Sequence, residues 1–268
     1  MSMYWTVLGS GTAVPSATRA SACHMLRGEG VAALFDAGSG AKDRLAASGV
    51  AFGALSHMIF THGHLDHWSD LLSFLFYRMH APAADRRAGL LVAGPPGFRD
   101  LVHDVARRID ADLLDRNADV VWVDAVEGAE LCAGWFRAEP FRVAHGSQHA
   151  LAYRVSTAHG CLCYSGDTAP CEGIDLAARG VDWLVCECSF PDGHSARNHM
   201  TPQAVRRVAD RAGVRRVVLT HLYPEMGAGL GNAFDGFAGE VRVAHDGLAL
   251  PLGPGDPPSL NLLSPVKT

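Results

Sequence analysis

Along this chain, short apolar runs alternate with longer stretches in which apolar residues return every three or four positions. The runs predict buried strands and the longer period predicts amphipathic helices. Tyr4-Trp5-Thr6-Val7-Leu8 is the first run, and it leads into Gly9-Ser10-Gly11-Thr12-Ala13-Val14-Pro15. That segment is either a plain turn or a cradle of exposed amides for an anion. Ala22 to Leu26 and Val31 to Phe35 predict a hairpin turning near Gly28-Glu29-Gly30, and Ala41 to Ala47 a helix stopped by Gly49. Met58-Ile59-Phe60-Thr61 predicts a strand, Trp68 to Met79 a helix, Leu90-Leu91-Val92 a strand and Phe98 to Ile109 a helix after the Gly94-Pro95-Pro96-Gly97 turn.

The second half repeats one arrangement. Phe141-Arg142-Val143-Ala144 runs into His145, Cys161-Leu162-Cys163-Tyr164 into Ser165-Gly166-Asp167, and Val217-Val218-Leu219-Thr220 into His221. With Met58 to Thr61 running into His62, four apolar strands deliver a His or Asp at their carboxyl ends, which is how sheets present a shared site. A further strand, Val181 to Cys186, ends at Glu187. His199 precedes Thr201-Pro202, an N-cap followed by proline at the first position of a helix over Gln203 to Ala212. Val241 to Leu250 predicts a closing hairpin around Asp246-Gly247, and the Pro/Gly-rich stretch from Gly253 an irregular tail. The expected organisation is one domain over 1–252 and a tail over 253–268.

The densest chemistry lies in Thr61-His62-Gly63-His64-Leu65-Asp66-His67, three imidazoles and a carboxylate at a strand-to-helix turn. So short a segment cannot wrap all four side chains around one tetrahedral ion, so alternate residues are expected to serve two neighbouring metals. A chance cluster is the alternative in a chain with 14 histidines. His24, His57, His80, His103, His159 and His245 read as ordinary surface or core residues, while His149 and His194 stay ambiguous.

Charge and cysteine content narrow the classes. The formal charge is -5, only Lys42 and Lys267 are lysines, and no basic tail for nucleic acid is present. The arginines at 206, 207, 211, 215 and 216 read as a solvated face in preference to a phosphate-tracking surface. No apolar run has the length of a membrane span, the first residues lack the pattern of an export signal, and the expected location is the cytoplasm. Seven cysteines without regular spacing argue against a disulfide scaffold. Cys161-Leu162-Cys163 and Cys186-Glu187-Cys188 read as strand thiols on one face in preference to a structural zinc site.

Through His62-x-His64-x-Asp66-His67 and the later His145, Asp167 and His221, the sequence resembles the metallo-β-lactamase superfamily. The segments Leu8 to Pro15, Tyr164 to Thr168, Cys186-Glu187-Cys188-Ser189-Phe190, His199 and Thr220-His221-Leu222 resemble its ribonuclease Z and small phosphodiesterase branch. The resemblance implies an α/β four-layer αβ/βα sandwich, two mixed β-sheets flanked by helices. It also implies two divalent ions, zinc first with manganese or iron accepted by the same ligands. His62, His64 and His145 would hold one ion, Asp66, His67 and His221 the other, and Asp167 would bridge them. Asp66 would receive the proton of the attacking water, and His199, oriented by Glu187, would donate to the leaving group or stabilise the transition state.

Proteins of the ribonuclease Z type usually carry a long arm between the positions of His145 and Asp167, and that interval is short here. With the negative net charge, this favours small or cyclic phosphodiesters over structured RNA as substrate. Carboxyl-ester, lactone or thioester hydrolysis and ribonuclease Z-like 3′-end processing are the alternative activities. A scaffold with a decayed site, or oxidative iron chemistry on the same ligands, is the remaining class, and a homodimer stays open.

Overall fold

A computed structural model describes residues 3–82, 85–87, 89–194, 197–226 and 230–253. The chain divides into two compact units. Residues up to Asp124 together with His245–Pro251 form unit 1, and Ala125–Ala244 form the body of unit 2. Most of the expected tail, from residue 254 on, lies outside the described residues.

Unit 1 is built on a seven-stranded mixed sheet. Its strands are β1 (Tyr4–Gly9), β2 (Cys23–Arg27), β3 (Ala32–Phe35), β4 (Leu55–Ile59), β5 (Leu91–Gly94), β6 (Val121–Asp124) and β14 (Ala249–Pro251). The order is β14-β1-β2-β3-β4-β5-β6. β1, β2 and β3 form an antiparallel meander, and β3 to β6 run parallel, with Phe35 level with Ile59. Parallel strands need crossovers, supplied by α1 (Ala41–Ala47), α2 (Leu65–His80) and α3 (Phe98–Ile109), the last followed by the short α4 (Asp112–Asp115). Each helix buries one stripe: Leu45 from α1, Trp68, Leu71, Phe74 and Leu75 from α2, Phe98, Val102 and Ala106 from α3. These pack with Met25, Leu34, Met58 and Val92 of the sheet into one core.

Unit 2 carries the second seven-stranded sheet, in the order β13-β12-β11-β10-β9-β8-β7. Its strands are β7 (Leu131–Cys132), β8 (Arg137–His145), β9 (Gln148–Thr157), β10 (Gly160–Tyr164), β11 (Trp183–Glu187), β12 (Arg216–Thr220) and β13 (Glu240–Val243). β8, β9 and β10 are antiparallel neighbours, whereas β10 to β13 run parallel. β8 and β10 to β12 therefore point the same way, and their carboxyl ends share one edge of the sheet. Helices α5 (Glu172–Ala178) and α6 (Pro202–Ala212) cross over between the parallel strands, and their apolar faces join Ala152, Cys163, Leu184 and Leu219 in a second core.

The hairpin and helices expected in the first half appear within a few residues of their predicted bounds, and α1 and α3 match them. The closing hairpin does not form. β13 pairs parallel with β12 in unit 2, and β14 pairs antiparallel with β1 in unit 1. The cause lies at the expected turn: the Asp246 carboxylate is bound in unit 1 by the Ser10 amide (2.9 Å), the Ser10 hydroxyl (2.8 Å), the Ala20 amide (2.8 Å) and Arg44 Nε (3.1 Å). Donors of this kind replace the water that a carboxylate loses on burial. The Gly9 to Pro15 loop thus does hold an anion, one supplied by the chain itself. A Cβ at Gly9 would fall 1.9 Å from the Ser21 carbonyl, so only glycine lets the loop fold this tightly.

Candidate metal centre and proton relay

In unit 1 the adjacent carboxyl ends of β3 and β4 bring Asp36 beside the His62–His67 turn. Asp36 Oδ1 accepts from the Thr61 amide (2.8 Å), and Oδ2 accepts from the Thr61 hydroxyl (2.9 Å) and from His67 Nδ1 (2.8 Å). Asp36 takes a positive φ of 58°, a conformation costly for a side-chain-bearing residue and tolerated where the surroundings impose it. Next to it, Gly38 lets the loop touch the first turn of α2, because a Cβ there would lie 1.9 Å from the Asp66 carbonyl oxygen. The Ala37 amide also donates to the His67 carbonyl (2.6 Å), and Trp68 Nε1 to the Gly63 carbonyl (3.0 Å), so both sides of the turn are pinned.

The ligand side chains in that turn lie close together. His62 sits edge-on to His64 with ring centroids 4.7 Å apart, and 4.2 Å from His67. His67 Nε2 is 4.0 Å from Asp66 Oδ2. His62 and His67 are buried, His64 is exposed at the N-cap of α2, and Asp66 is half-buried in its first turn.

In unit 2 the shared strand edge gathers His145, Asp167, Glu187 and His221. Asp167 Oδ2 lies 3.7 Å from His145 Nε2 and Oδ1 lies 3.5 Å from His221 Nε2, so each carboxylate oxygen faces a different imidazole. These spacings exceed a hydrogen bond. They are close to the roughly 3.4 Å that separates two ligands each about 2.1 Å from a tetrahedral ion. His221, like Asp36, is held at a positive φ, 54°.

The imidazole tautomers follow from the hydrogen bonds. His145 Nδ1 donates to the Asn198 carbonyl (2.9 Å) and His67 Nδ1 to Asp36. His221 Nδ1 meets Ser189 Oγ (3.1 Å), whose own proton goes to Glu187 Oε2 (2.7 Å). His62 Nδ1 likewise meets Thr61 Oγ1 (3.0 Å), whose proton goes to Asp36. In all four rings Nδ1 is engaged, so Nε2 is the nitrogen that a metal ion would meet, with the ring held in orientation as in metal-binding histidines. The donor set therefore fits divalent metal ions that accept nitrogen and oxygen.

His199 is held differently. Its Nδ1 donates to Glu187 Oε1 (2.9 Å) and lies 3.9 Å from Asp167 Oδ2. Ligand atoms of Asp167, His199 and His221 all fall within 4.8 Å of one another, so His199 is near enough to count as a ligand. However, the nitrogen nearest Asp167 is the one that Glu187 holds. Glu187 itself is buried, and its carboxylate also accepts from the Thr168 amide (2.8 Å), the Met200 amide (3.2 Å) and Ser189. α6 starts just beyond, with Thr201 at its N-cap and Pro202 in its first turn as expected, although the Thr201 side chain makes no capping bond.

Two participants escaped the sequence reading. Asp36 followed an apolar strand just as Asp167 does, and its position at a strand end was the available signal. Ser189, two residues after Glu187, gave no signal of its own, since its role arises only from where its hydroxyl points. The cysteines agree with the core reading: among the described residues no candidate ligand group contains one, and burial pushes the Cys163 and Cys186 thiols up. His149 lies in β9 outside these groups, its pKa lowered by burial and by Arg142, and His194 packs on Phe190.

A family model described as "Beta-lactamase superfamily domain" matches residues 32–222. The chain belongs to the metallo-β-lactamase superfamily. It is a hydrolase of that superfamily, with two mixed sheets flanked by helices. A ribonuclease Z of Mycobacterium sp. (strain KMS) is 31% identical over 244 residues, which covers 84% of this chain and 85% of that protein. Among solved structures, the metallo-β-lactamase fold protein YhfI from Bacillus subtilis matches with a TM-score of 0.78 at 22% identity, over 94% of this chain and all of that one (100%). A diphosphatase from the PhnP family matches with a TM-score of 0.72 at 21% identity, over 94% and 97%. The superfamily implies divalent metals for the His/Asp ligands. Among the described residues no helix is long and apolar enough to cross a membrane.

Proposed function

We propose that this chain is a binuclear metal-dependent phosphodiesterase acting on small or cyclic phosphodiesters. His62, His64 and His145 would hold one ion and Asp66, His67 and His221 the other, with Asp167 serving both, and zinc would suit this donor set. When bound, such ions supply the Lewis acidity that brings the pKa of an attacking water near neutrality and offsets charge on the phosphoryl oxygens. Asp66 would accept the proton that the water gives up.

The His199–Glu187 pair carries the phosphodiester reading. An alkoxide leaving from phosphorus needs a proton, and an imidazole whose Nδ1 donates to a buried carboxylate at 2.9 Å keeps its Nε2 proton aimed away from that carboxylate. Glu187 stabilises the protonated ring, and donors of this kind typically contribute about 10²–10⁴-fold. Seven free cysteines fit a reducing, cytoplasmic setting.

The relatives named ribonuclease Z favour a second reading, RNA 3′-end processing. Two observations weigh against it. The interval from His145 to Asp167 is used up by β9, a tight turn and β10, leaving no arm to grip an RNA body. Arginines near α6 are also largely matched by acids: Arg206 with Asp210 (2.7 Å), Arg211 with Asp175 (2.7 Å) and Arg216 with Asp182 (3.4 Å). Cations paired in this way have less to offer phosphates.

The test is a hydrolysis screen of the metal-loaded protein on bis-p-nitrophenyl phosphate, cyclic nucleotides, lactones, aryl esters and a precursor transfer RNA at physiological salt. Turnover of the diesters with little cleavage of the others is expected. Efficient, site-specific 3′-end cleavage of the precursor would establish the RNA reading instead, and turnover confined to lactones or esters would remove both.

A further inference from the structure

Phe190 and Tyr223, which meet His199, and His194, which stacks on Phe190, have no part in the chemistry described so far. His194 lies almost parallel to Phe190, with ring centroids 4.3 Å apart and planes 6° apart. Tyr223 also stacks on Phe190, at 4.7 Å and 22°. Phe190 and Tyr223 each meet His199 edge-on, at 5.7 Å and 6.1 Å, and Tyr223 meets His221 in the same manner at 5.8 Å. All three belong to unit 2, so this wall and the proton donor it flanks are one local structure.

Their exposure sets the wall apart from core. His194 is exposed, and Phe190 and Tyr223 are half-buried, whereas the large rings of both cores, such as Trp5, Trp68 and Trp183, are excluded from water. Aromatic rings fixed in orientation by mutual stacking and left partly wet present π faces and edges at which another planar ring gains contact. Their location says which part of a substrate they meet. A group that protonates a leaving oxygen sits beside the leaving group, so whatever borders His199 borders that group as well.

We infer that His194, Phe190 and Tyr223 form a leaving-group subsite that accepts the planar base of a nucleoside. The inference rests on the phosphodiesterase reading and narrows its substrate class to diesters in which the departing alcohol is a nucleoside. A small aliphatic alcohol has no ring to set against the wall. A purely structural stack, one that only orders the chain between Glu187 and His199, would not distinguish a ligand with a base from one without.

The experiment is calorimetric titration of the full-length, metal-loaded protein with adenosine 5′-monophosphate and with ribose 5-phosphate, which share sugar and phosphate and differ by the base. Stacking on aromatic side chains predicts a Kd lower by roughly 10-fold or more for the nucleotide. Phe190→Leu and His194→Ala should each bring the two Kd values to within about threefold, while Phe190→Tyr, which keeps a ring, retains the preference. Misplacement of His199 or of the metal ligands would weaken both ligands alike and leave the ratio intact. Equal binding by the wild type, no binding of the nucleotide, or a preference that survives Phe190→Leu overturns the subsite, whatever the hydrolysis screen shows. A base preference lost in the variants of a protein that turns over no phosphodiester would instead uphold the subsite and remove the phosphodiesterase reading.

Discussion

Unit 1 takes its four candidate ligands from one turn, His62 to His67, whereas unit 2 collects His145, Asp167 and His221 from the ends of three different strands. The supporting groups differ in the same way. The unit 1 turn leans on one carboxylate, Asp36, which accepts from Thr61 and His67. In unit 2 a chain of hydrogen bonds runs from His221 through Ser189 to Glu187 and on to His199, so one network joins a candidate metal ligand to the proposed proton donor. A compact motif can thus fix several ligands with little help from the rest of the fold. A dispersed set depends on parallel strands ending at one edge, and in return it brings ligands next to side chains that can move protons.

The largest expected effect tests the bridging role of Asp167. Each of its oxygens faces a different imidazole, so Asp167→Ala should lower metal occupancy at both sites and reduce turnover by about 10³-fold. His64→Ala, a change at the exposed edge of the unit 1 turn, should mainly empty one site. Metal analysis of the two variants side by side checks this, and identical metal loss in both would erase the distinction drawn between bridge and single-ion ligand.

The next effect isolates the proton chemistry of unit 2. His199→Ala should keep both metals and the fold while cutting turnover of alkyl phosphodiesters by about 10²-fold, with a much smaller loss for p-nitrophenyl esters, whose leaving group departs without a proton. Steady-state rates on paired substrates give the answer. Equal losses on both would remove the general-acid role and leave His199 an electrostatic one.

A smaller effect is expected from the support under unit 1. Asp36→Asn keeps the shape and removes the charge that fixes the His67 tautomer, so metal affinity should fall by about 10–100-fold with the other ligands intact. A chelator competition titration measures it. An unchanged affinity would mean that the Thr61 and Ala37 contacts suffice to hold the turn.

The same contrast governs what could be read from the sequence. The His62–His67 turn was legible because its chemistry is contiguous and sits between an apolar run and a helical period. His145, Asp167, Glu187 and His221 were legible because each directly or closely follows an apolar strand, a signal that survives dispersion. Asp36 gave that signal too, but with no neighbouring histidine it read as a loop residue. The C-terminal strands were misassigned because Asp246-Gly247 has the chemistry of a hairpin turn, while the partners that bind Asp246, Ser10, Ala20 and Arg44, are each more than 200 positions away. β9 was missed because its mixed residues, Gln148 to Thr157, lack a clean alternation; its pairing with β8 along nearly its whole length makes it a strand.

The central proposal is that the chain holds two metal ions on its candidate His and Asp ligands. The most direct measurement is the metal content of the full chain after loading with excess zinc and removal of weakly bound metal, determined by elemental analysis against protein concentration. The account predicts two tightly bound ions per chain, and a stoichiometry of one or fewer under metal-replete conditions would contradict it.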